Sequence, residues 1–146
     1  MTETSRITAP TIPTPTLRII GIIHSTITDK DHAPKMGDEG GVEATITIGS
    51  EYLAAMADIA EGDELELLTW LHLADRDTLR VHPRGRVENP ERGVFSTRSP
   101  DRPNPIGLHR VTVRAVSPGE LRVAPLEALD GTPVVDIKPK LKQHKA

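Results

Sequence analysis

Polar side chains suited to ligand binding are concentrated in one proline-rich segment of the sequence, GVFSTRSPDRPNPIGL, which spans residues 93–108. Its donors and acceptors belong to Arg98, Asp101, Arg102 and Asn104. Guanidinium groups present several N–H donors in a fixed planar arrangement, whereas carboxylates only accept hydrogen bonds. A segment of this composition can therefore recognise a polar or charged ligand.

Three prolines restrict the backbone of the same segment: Pro100, Pro103 and Pro105. Each fixes its own φ and removes a backbone donor, and each disfavours helical geometry in the residue before it. The segment can be neither a helix nor the middle of a sheet. A stiff polar loop suits a preorganised ligand site. Composition is equally compatible with a rigid surface connection whose arginines are only solvated.

The elements that must position this loop are mostly short strands. Frequent turn signals separate apolar or alternating runs, which predict an all-β barrel or sandwich. The runs are residues 17–23, 44–48, 64–71, 78–82, 93–97, 110–116, 120–124 and 134–137.

One segment, residues 52–60, follows a helical period instead. Leu53 and Met56 belong to its apolar positions, which predicts a short helix packed on the strands. Ser50 is a candidate N-cap, and Gly62 is a candidate C-terminal stop.

The bulk composition narrows the class of protein. The chain has 146 residues, of which 36% are hydrophobic, which indicates one domain with a lean core. It contains no cysteine, so disulfides, thiolate zinc sites and a cysteine nucleophile are excluded. The formal net charge of −3 gives no general basic excess, so any nucleic-acid role requires a local basic patch.

The domain limits follow from composition. Residues 1–16 are rich in Thr and Pro without periodicity, which predicts a disordered tail, and residues 141–146 form a short second tail. The folded domain is then residues 17–140. No apolar run approaches the ~18 residues of a membrane span, and the N-terminus lacks the pattern of a signal peptide. We expect a cytoplasmic protein.

The proline-rich segment resembles the signature of the TsaA-like (TrmO-type) family, which typically reads GVFATRSP, one variable residue, then RPNPIG. Ser96 replaces the usual alanine. Further resemblances appear in order along the chain, to the family's GxIxS, WFH, HPRG and DGTPVLDIKPY segments, at residues 21–25, 70–72, 82–85 and 130–140. Departures include Glu64-Leu65-Glu66 for an aromatic-rich step, and Lys140 for the usual tyrosine.

The resemblance implies a mainly β, single-sheeted barrel with one short helix, often in a homodimer. It also implies S-adenosylmethionine as cofactor, and methylation of N6 of the threonylcarbamoylated adenosine at tRNA position 37. Methyl transfer from a sulfonium needs alignment and an acceptor for one proton, not a protein nucleophile.

The residues that the resemblance places at the cofactor fall in four groups. They are Pro34, Lys35 and Met36; His72 and Leu73; Arg98 and Arg110; and Glu127, Ala128, Leu129, Asp130 and Gly131. Arg98 would pair with the carboxylate of the methionine part. The backbone of Ala128 and Leu129 would contact adenine edges. Asp130 would accept a hydrogen bond or the substrate proton, which makes it the candidate catalytic residue.

Plainer interpretations remain open for several of these residues. Asp130-Gly131 is a common turn dipeptide, and a hairpin between two strands would explain it. His72 would serve as a structural histidine, and Trp70 as a core residue. Asp136 and Lys138 would form an ion pair at a strand end. The histidines show no metal-ligand spacing, so no metal is expected.

Three functions compete. A tRNA methyltransferase would use a basic patch, although acidic residues are interleaved with its arginines. Those arginines are Arg76, Arg80, Arg84, Arg86 and Arg92. A small-molecule methyltransferase fits the acidic net charge and would use the same pocket. A non-catalytic module would bind S-adenosylmethionine without turnover.

Overall fold

The computed structural model of the protein describes residues 13–28 and 42–141. Its strands are β1 Gly21–His24, β2 Val42–Ile48, β3 Glu64–Trp70, β4 Arg80–Val81, β5 Arg92–Gly93, β6 Ile106–Ser117, β7 Glu120–Leu126 and β8 Pro133–Pro139. Three short 3₁₀ helices occupy Ser50–Met56, Pro83–Gly85 and Val94–Ser96. None of the helices in this part of the chain has the length and apolarity to cross a membrane.

Six of the strands form one closed barrel in the order β1-β2-β7-β6-β3-β8, which confirms the predicted single-sheeted barrel. Every neighbouring pair is antiparallel, and β1 closes the ring against β8 through the pair Gly21 and Val134. Closure leaves the barrel without a free strand edge. The remaining strands, β4 and β5, form a separate two-stranded ribbon.

The core fills the barrel interior because side chains alternate between its two faces. Ile23, Ile46, Leu67 and Val134 are completely buried there. Burial of one such side chain stabilises the fold by roughly 1.5–3 kcal/mol.

The long strand β6 shows the alternation that matters for the site. Gly107 and His109 point inward and are buried, whereas Ile106, Leu108 and Arg110 lie on the outer wall and are exposed.

Antiparallel pairing brings the candidate loops to one end of the barrel. The C-terminal ends of β1, β3 and β7 meet the N-terminal ends of β2, β6 and β8 there. Residues 25–28, 71–105 and 127–132 leave the barrel at this end, and we call these three segments the loop rim.

The predicted helix differs from the observed one. It is a 3₁₀ helix, Ser50–Met56, in which Tyr52 N–H donates to Gly49 O at 2.9 Å. Gly49, not Ser50, occupies the N-cap, and Gly62 lies beyond the helix in a separate turn. A helix this short gains little from propensity alone, so its few contacts with the core decide its geometry.

Two predicted strands are also corrected. The 17–23 strand begins only at Gly21, and residues 13–20 have no regular secondary structure. The 93–97 strand is limited to Arg92–Gly93, after which the chain turns into a 3₁₀ helix whose first carbonyl, Val94 O, accepts from the Arg102 guanidinium. Of the predicted tails, residues 1–12 and 142–146 lie outside the described residues.

Candidate functional site

The proline-rich loop is organised by one of its own arginines. Arg102 Nη1 donates to the carbonyls of Thr97 at 3.1 Å and Ser99 at 2.9 Å, and its Nη2 donates to the carbonyl of Val94 at 3.0 Å. Hydrogen bonds from a charged donor are stronger than neutral ones. Arg102 therefore holds the loop in one conformation and is not simply solvated.

A second set of contacts joins this loop to the segment after β3. Asp101 Oδ1 accepts from the Asp75 amide at 2.9 Å. Arg76 donates through Nε to Pro103 O at 2.7 Å and through Nη2 to Asn104 Oδ1 at 3.0 Å. The loop and the segment that carries His72 and Leu73 thus form one unit of the rim.

Trp70 contributes to this unit from the outer wall. It is half-buried, and the Arg76 guanidinium lies 5.0 Å from its ring centroid. A contact of this kind is worth about 0.5–1 kcal/mol at an exposed site. The prediction that Trp70 is a core residue is wrong, because its position in β3 faces away from the barrel interior.

Arg98 differs from Arg102 in the same loop. Its side chain is exposed, and within residues 13–28 and 42–141 no hydrogen bond or ion pair engages its guanidinium. A free planar guanidinium on a fixed backbone is suited to pair with a carboxylate or phosphate. Phe95, which is 82% exposed, lies three residues before it.

The connection from β7 to β8 is not a hairpin, contrary to the plainer interpretation of Asp130-Gly131. The two strands are not neighbours in the barrel, and the connection runs past the end of β1. Asp130 Oδ1 accepts from the Ser25 amide at 3.0 Å, and the Asp130 amide donates to Ile27 O at 2.7 Å. Gly131 has a φ of 87°, which favours glycine in this turn. The turn itself is therefore present, but it crosses the barrel mouth.

The backbone next to this turn is only partly available. Ala128 is buried at 3% exposure, and Leu129 is half-buried. The Leu129 carbonyl already accepts from the Thr132 amide at 3.1 Å and from its hydroxyl at 2.7 Å. Contact of Ala128 and Leu129 with an adenine edge stays a prediction, for which this carbonyl is not a free acceptor.

An open pocket of about 320 Å³ lies beside Asp130. Side chains from β1, the residues after it, β2 and the β7–β8 connection line it: His24, Ser25, Thr26, Glu43, Ala44, Thr45 and Asp130. Small-molecule sites start at roughly this volume. The pocket is large enough for part of a nucleoside-sized ligand.

A buried polar cluster adjoins the same connection. His109 Nδ1 lies 3.1 Å from Glu127 Oε1, and its Nε2 lies 2.8 Å from the Thr69 hydroxyl. Burial alone raises the pKa of Glu127, but the hydrogen bond and the charge of His109 outweigh burial and lower it below its ordinary value. Glu127 is therefore an ionised acceptor at neutral pH.

The structure places most of the residues predicted at the cofactor in loops at the same end of the barrel. His72, Leu73 and Arg98, together with residues 127–131, lie on the loop rim. Arg110 does not lie on the rim. It is in the middle of β6, opposite Glu66 of β3 in the sheet register, and its side chain points outward from the barrel wall. Pro34, Lys35 and Met36 lie outside the described residues.

Three side chains contribute to this end of the barrel in ways that the sequence pattern did not predict. His109 and Thr69 were not predicted, although the alternation of β6 places a histidine inside the barrel. The predicted basic patch included Arg76, whereas the Arg76 side chain is bound to the proline-rich loop. The predicted ion pair between Asp136 and Lys138 is confirmed at 3.1 Å.

Comparison with known proteins identifies the family of this chain. The family model for the N-terminal domain of tRNA-methyltransferase O matches residues 22–145. The chain belongs to this family.

Individual relatives agree with that assignment. A probable S-adenosyl-L-methionine-binding protein of Methanothermobacter thermautotrophicus is 46% identical over 124 residues, which cover 84% of this chain and 88% of the relative. An S-adenosyl-L-methionine-binding protein of Archaeoglobus fulgidus is 43% identical over 122 residues, which cover 84% and 86% of the two chains.

A solved structure confirms the fold. The crystal structure of TrmO from Pseudomonas aeruginosa superposes with a TM-score of 0.71 at 27% identity and covers 88% of this chain. The present chain spans only 57% of the length of that protein.

Proposed function

We propose that the protein is an S-adenosylmethionine-dependent methyltransferase that modifies N6 of the threonylcarbamoylated adenosine at position 37 of tRNA. Family membership and the names of the relatives support the cofactor and the reaction class. One structural observation carries most weight: the signature loop is held rigidly by Arg102 while Arg98 stays unengaged on the same rim as residues 127–131.

The residues on the rim fit the cofactor chemically. The unengaged guanidinium of Arg98 suits the carboxylate of the methionine part. The carboxylate of Asp130 lines the 320 Å³ pocket and uses one oxygen on the Ser25 amide, which leaves the other to face the nitrogen that is methylated. The apolar side chains of Ala128 and Leu129 lie next to it in the chain.

When bound, S-adenosylmethionine would supply an activated methyl group for in-line transfer to the acceptor nitrogen. The protein contributes alignment, which the hydrogen-bonded loops of the rim can provide. Asp130 accepts the proton that the nitrogen loses, because it is an exposed carboxylate whose backbone is fixed by Ile27.

Calorimetric titration with S-adenosylmethionine tests the cofactor assignment. We expect the wild type to bind and Arg98→Ala to bind roughly tenfold more weakly or worse, since it loses a charge-assisted pair. Arg86→Ala is the matched control, because Arg86 is another exposed arginine of the 71–105 segment. A folded wild type that does not bind would contradict the proposal.

The acceptor needs a separate test. Arg80 is committed to an ion pair with Glu91 at 2.7 Å, and Arg76 to the proline-rich loop, so the basic patch is smaller than predicted. Arg92 remains suited to contact the phosphates of a nucleic acid. The highly exposed Phe95 remains suited to stack on an unpaired base. For tRNA, binding should weaken steeply with salt and Phe95→Ala should reduce it.

A small-molecule acceptor is the second candidate, favoured by the net charge of −3 and by the few free cations on the described rim. Methyl transfer to modified tRNA, compared with a panel of small amines, distinguishes the two. If a small amine is methylated and modified tRNA is not, the substrate is a small molecule and the tRNA proposal is wrong.

We further propose a homodimer in the cytoplasm. On the outer wall, Ile106 lies opposite Trp70 and Leu108 opposite Leu68. Ile106 and Leu108 are each 44% exposed, which forms an apolar strip that continues to the loop rim. A second copy of the chain on this strip would place two rims near one interface.

A further inference from the structure

The buried cluster of Thr69, His109 and Glu127 extends the proposed site into the barrel. His109 is 8% exposed on the inner face of β6, where the next inward residues, Val111 and Val113, are aliphatic. A buried imidazole needs partners for its ring nitrogens. Its partners are Glu127 Oε1 at 3.1 Å and Thr69 Oγ1 at 2.8 Å, so both nitrogens are used.

The glycine at position 107 leaves space for the His109 ring. A Cβ added at Gly107, the inward residue before His109, would lie 2.8 Å from His109 Nε2 and would also overlap Thr69 Oγ1. The φ of Gly107 is not in the left-handed region, so space and not backbone conformation requires glycine here. The contact between His109 and Thr69 therefore depends on the absence of a side chain at position 107.

The hydrogen-bond directions are fixed by Glu127. Its carboxylate only accepts, so Nδ1 of His109 carries a proton and donates to Oε1. The Thr69 hydroxyl bonds to the other ring nitrogen and orients the ring. Apart from a contribution of its own backbone amide, the Glu127 carboxylate has no hydrogen-bond partner other than His109 in the described part of the chain, and the side chain keeps 19% exposure.

Glu127 lies at the junction between the barrel and the candidate site. It follows directly on β7, which ends at Leu126, and it begins the connection that contains Ala128 to Gly131. The bond to His109 fixes the Glu127 side chain and therefore the start of the connection against β6. Near the other end of the connection, Asp130 accepts from the Ser25 amide. The connection is thus held at both ends.

We infer that His109 is a positioning residue for ligand binding: through Nδ1 it holds Glu127 so that Oε2 accepts a hydroxyl or amino donor of the ligand at the rim. The inference rests on the proposed function, because the ligand used to test it is S-adenosylmethionine. His109 itself does not touch the ligand.

The test compares two amide replacements that separate the two ring nitrogens. In His109→Asn the side-chain amide nitrogen takes the place of Nδ1 and can still donate to Glu127. In His109→Gln the amide reaches toward Thr69 and leaves Glu127 without its donor. We expect calorimetric affinity for S-adenosylmethionine to stay within about threefold for His109→Asn and to fall roughly tenfold or more for His109→Gln and His109→Leu.

Val111→Ala is the control for a purely structural effect. Val111 is the next inward residue of β6 and is 3% exposed, so its truncation destabilises the same strand without removing the bond between His109 and Glu127. Backbone amide NMR spectra of the free proteins give a second measurement, in which His109→Gln should shift the signals of residues 127–131 more than Val111→Ala does.

The outcomes separate the two proposals. A folded wild type that does not bind S-adenosylmethionine overturns the proposed function and this inference with it. A wild type that binds, with His109→Leu or His109→Gln equally tight, overturns the inference alone. Equal loss in His109→Asn, His109→Gln and Val111→Ala also overturns it, because affinity then follows stability and not the bond to Glu127.

Discussion

Replacement of Arg102 by alanine tests whether one guanidinium holds the proline-rich loop. The side chain is half-buried and makes three hydrogen bonds, to the carbonyls of Val94, Thr97 and Ser99. Hydrogen bonds to charged groups contribute about 1.5–3 kcal/mol each, but three bonds from one group are not additive. We expect a local loss of roughly 2–4 kcal/mol.

The loss should be local, because the loop lies outside the closed barrel. Val94 remains anchored by its buried side chain and by the hydrogen bond that its amide N–H donates to Leu79 O at 2.9 Å. Downstream, Pro105 is buried and its carbonyl accepts from the Leu71 amide at 2.8 Å. Opening is therefore expected between residues 97 and 104, with little change in the unfolding temperature of the barrel.

Amide hydrogen exchange measures this opening directly. The amides of Thr97, Ser99 and Asp101 donate within the loop and should be protected in the wild type. In Arg102→Ala their protection should fall roughly 30- to 700-fold, which corresponds to 2–4 kcal/mol at about 1.4 kcal/mol per factor of ten. Arg86→Ala should leave it unchanged. Unchanged protection in Arg102→Ala would refute the conclusion that Arg102 organises the loop.

Three further predictions concern the proton acceptor, the apolar strip and acid stability. Asp130→Asn should keep affinity for S-adenosylmethionine, because the amide oxygen still accepts from Ser25, but slow methyl transfer by about 10²–10⁴-fold in a radiolabel assay. Leu108→Asp should give monomers in analytical ultracentrifugation, whereas Leu53→Asp at the opposite end should not. The pKa of Glu127 is lowered by folding, so its stabilisation is complete above its ordinary value of 4.5 and is lost as the pH falls through the lower folded value. Glu127→Gln should therefore destabilise most near neutral pH and progressively less as the pH falls below 4.5 in urea titrations.

Local pattern was sufficient for most of the barrel strands. Alternation in residues 44–48 and 110–116 predicted β2 and β6, because burial of one face imposes a period of two. The same pattern did not indicate that β6 begins at Ile106, since the prolines before it dominate the local signal. Order and closure of the strands came only from the family resemblance, because pairing depends on contacts distant in sequence.

The two arginines of the proline-rich loop show where local pattern fails. Arg98 and Arg102 have the same chemistry and lie four residues apart, yet one is exposed and the other binds three carbonyls. The difference arises from the path of the backbone, which folds Val94, Thr97 and Ser99 around Arg102. Nothing in the composition of the segment distinguishes them.

The site inside the barrel was accessible to sequence reasoning in part. The period of two that places Val111 and Val113 in the core also places His109 there, and a buried imidazole requires polar partners. Those partners, Thr69 and Glu127, are 40 and 18 residues away along the chain, so only the register of β6 against β3 and the end of β7 identifies them. An inward polar residue on an otherwise apolar strand face is therefore the sequence signal for such a site, and barrel geometry supplies its partners.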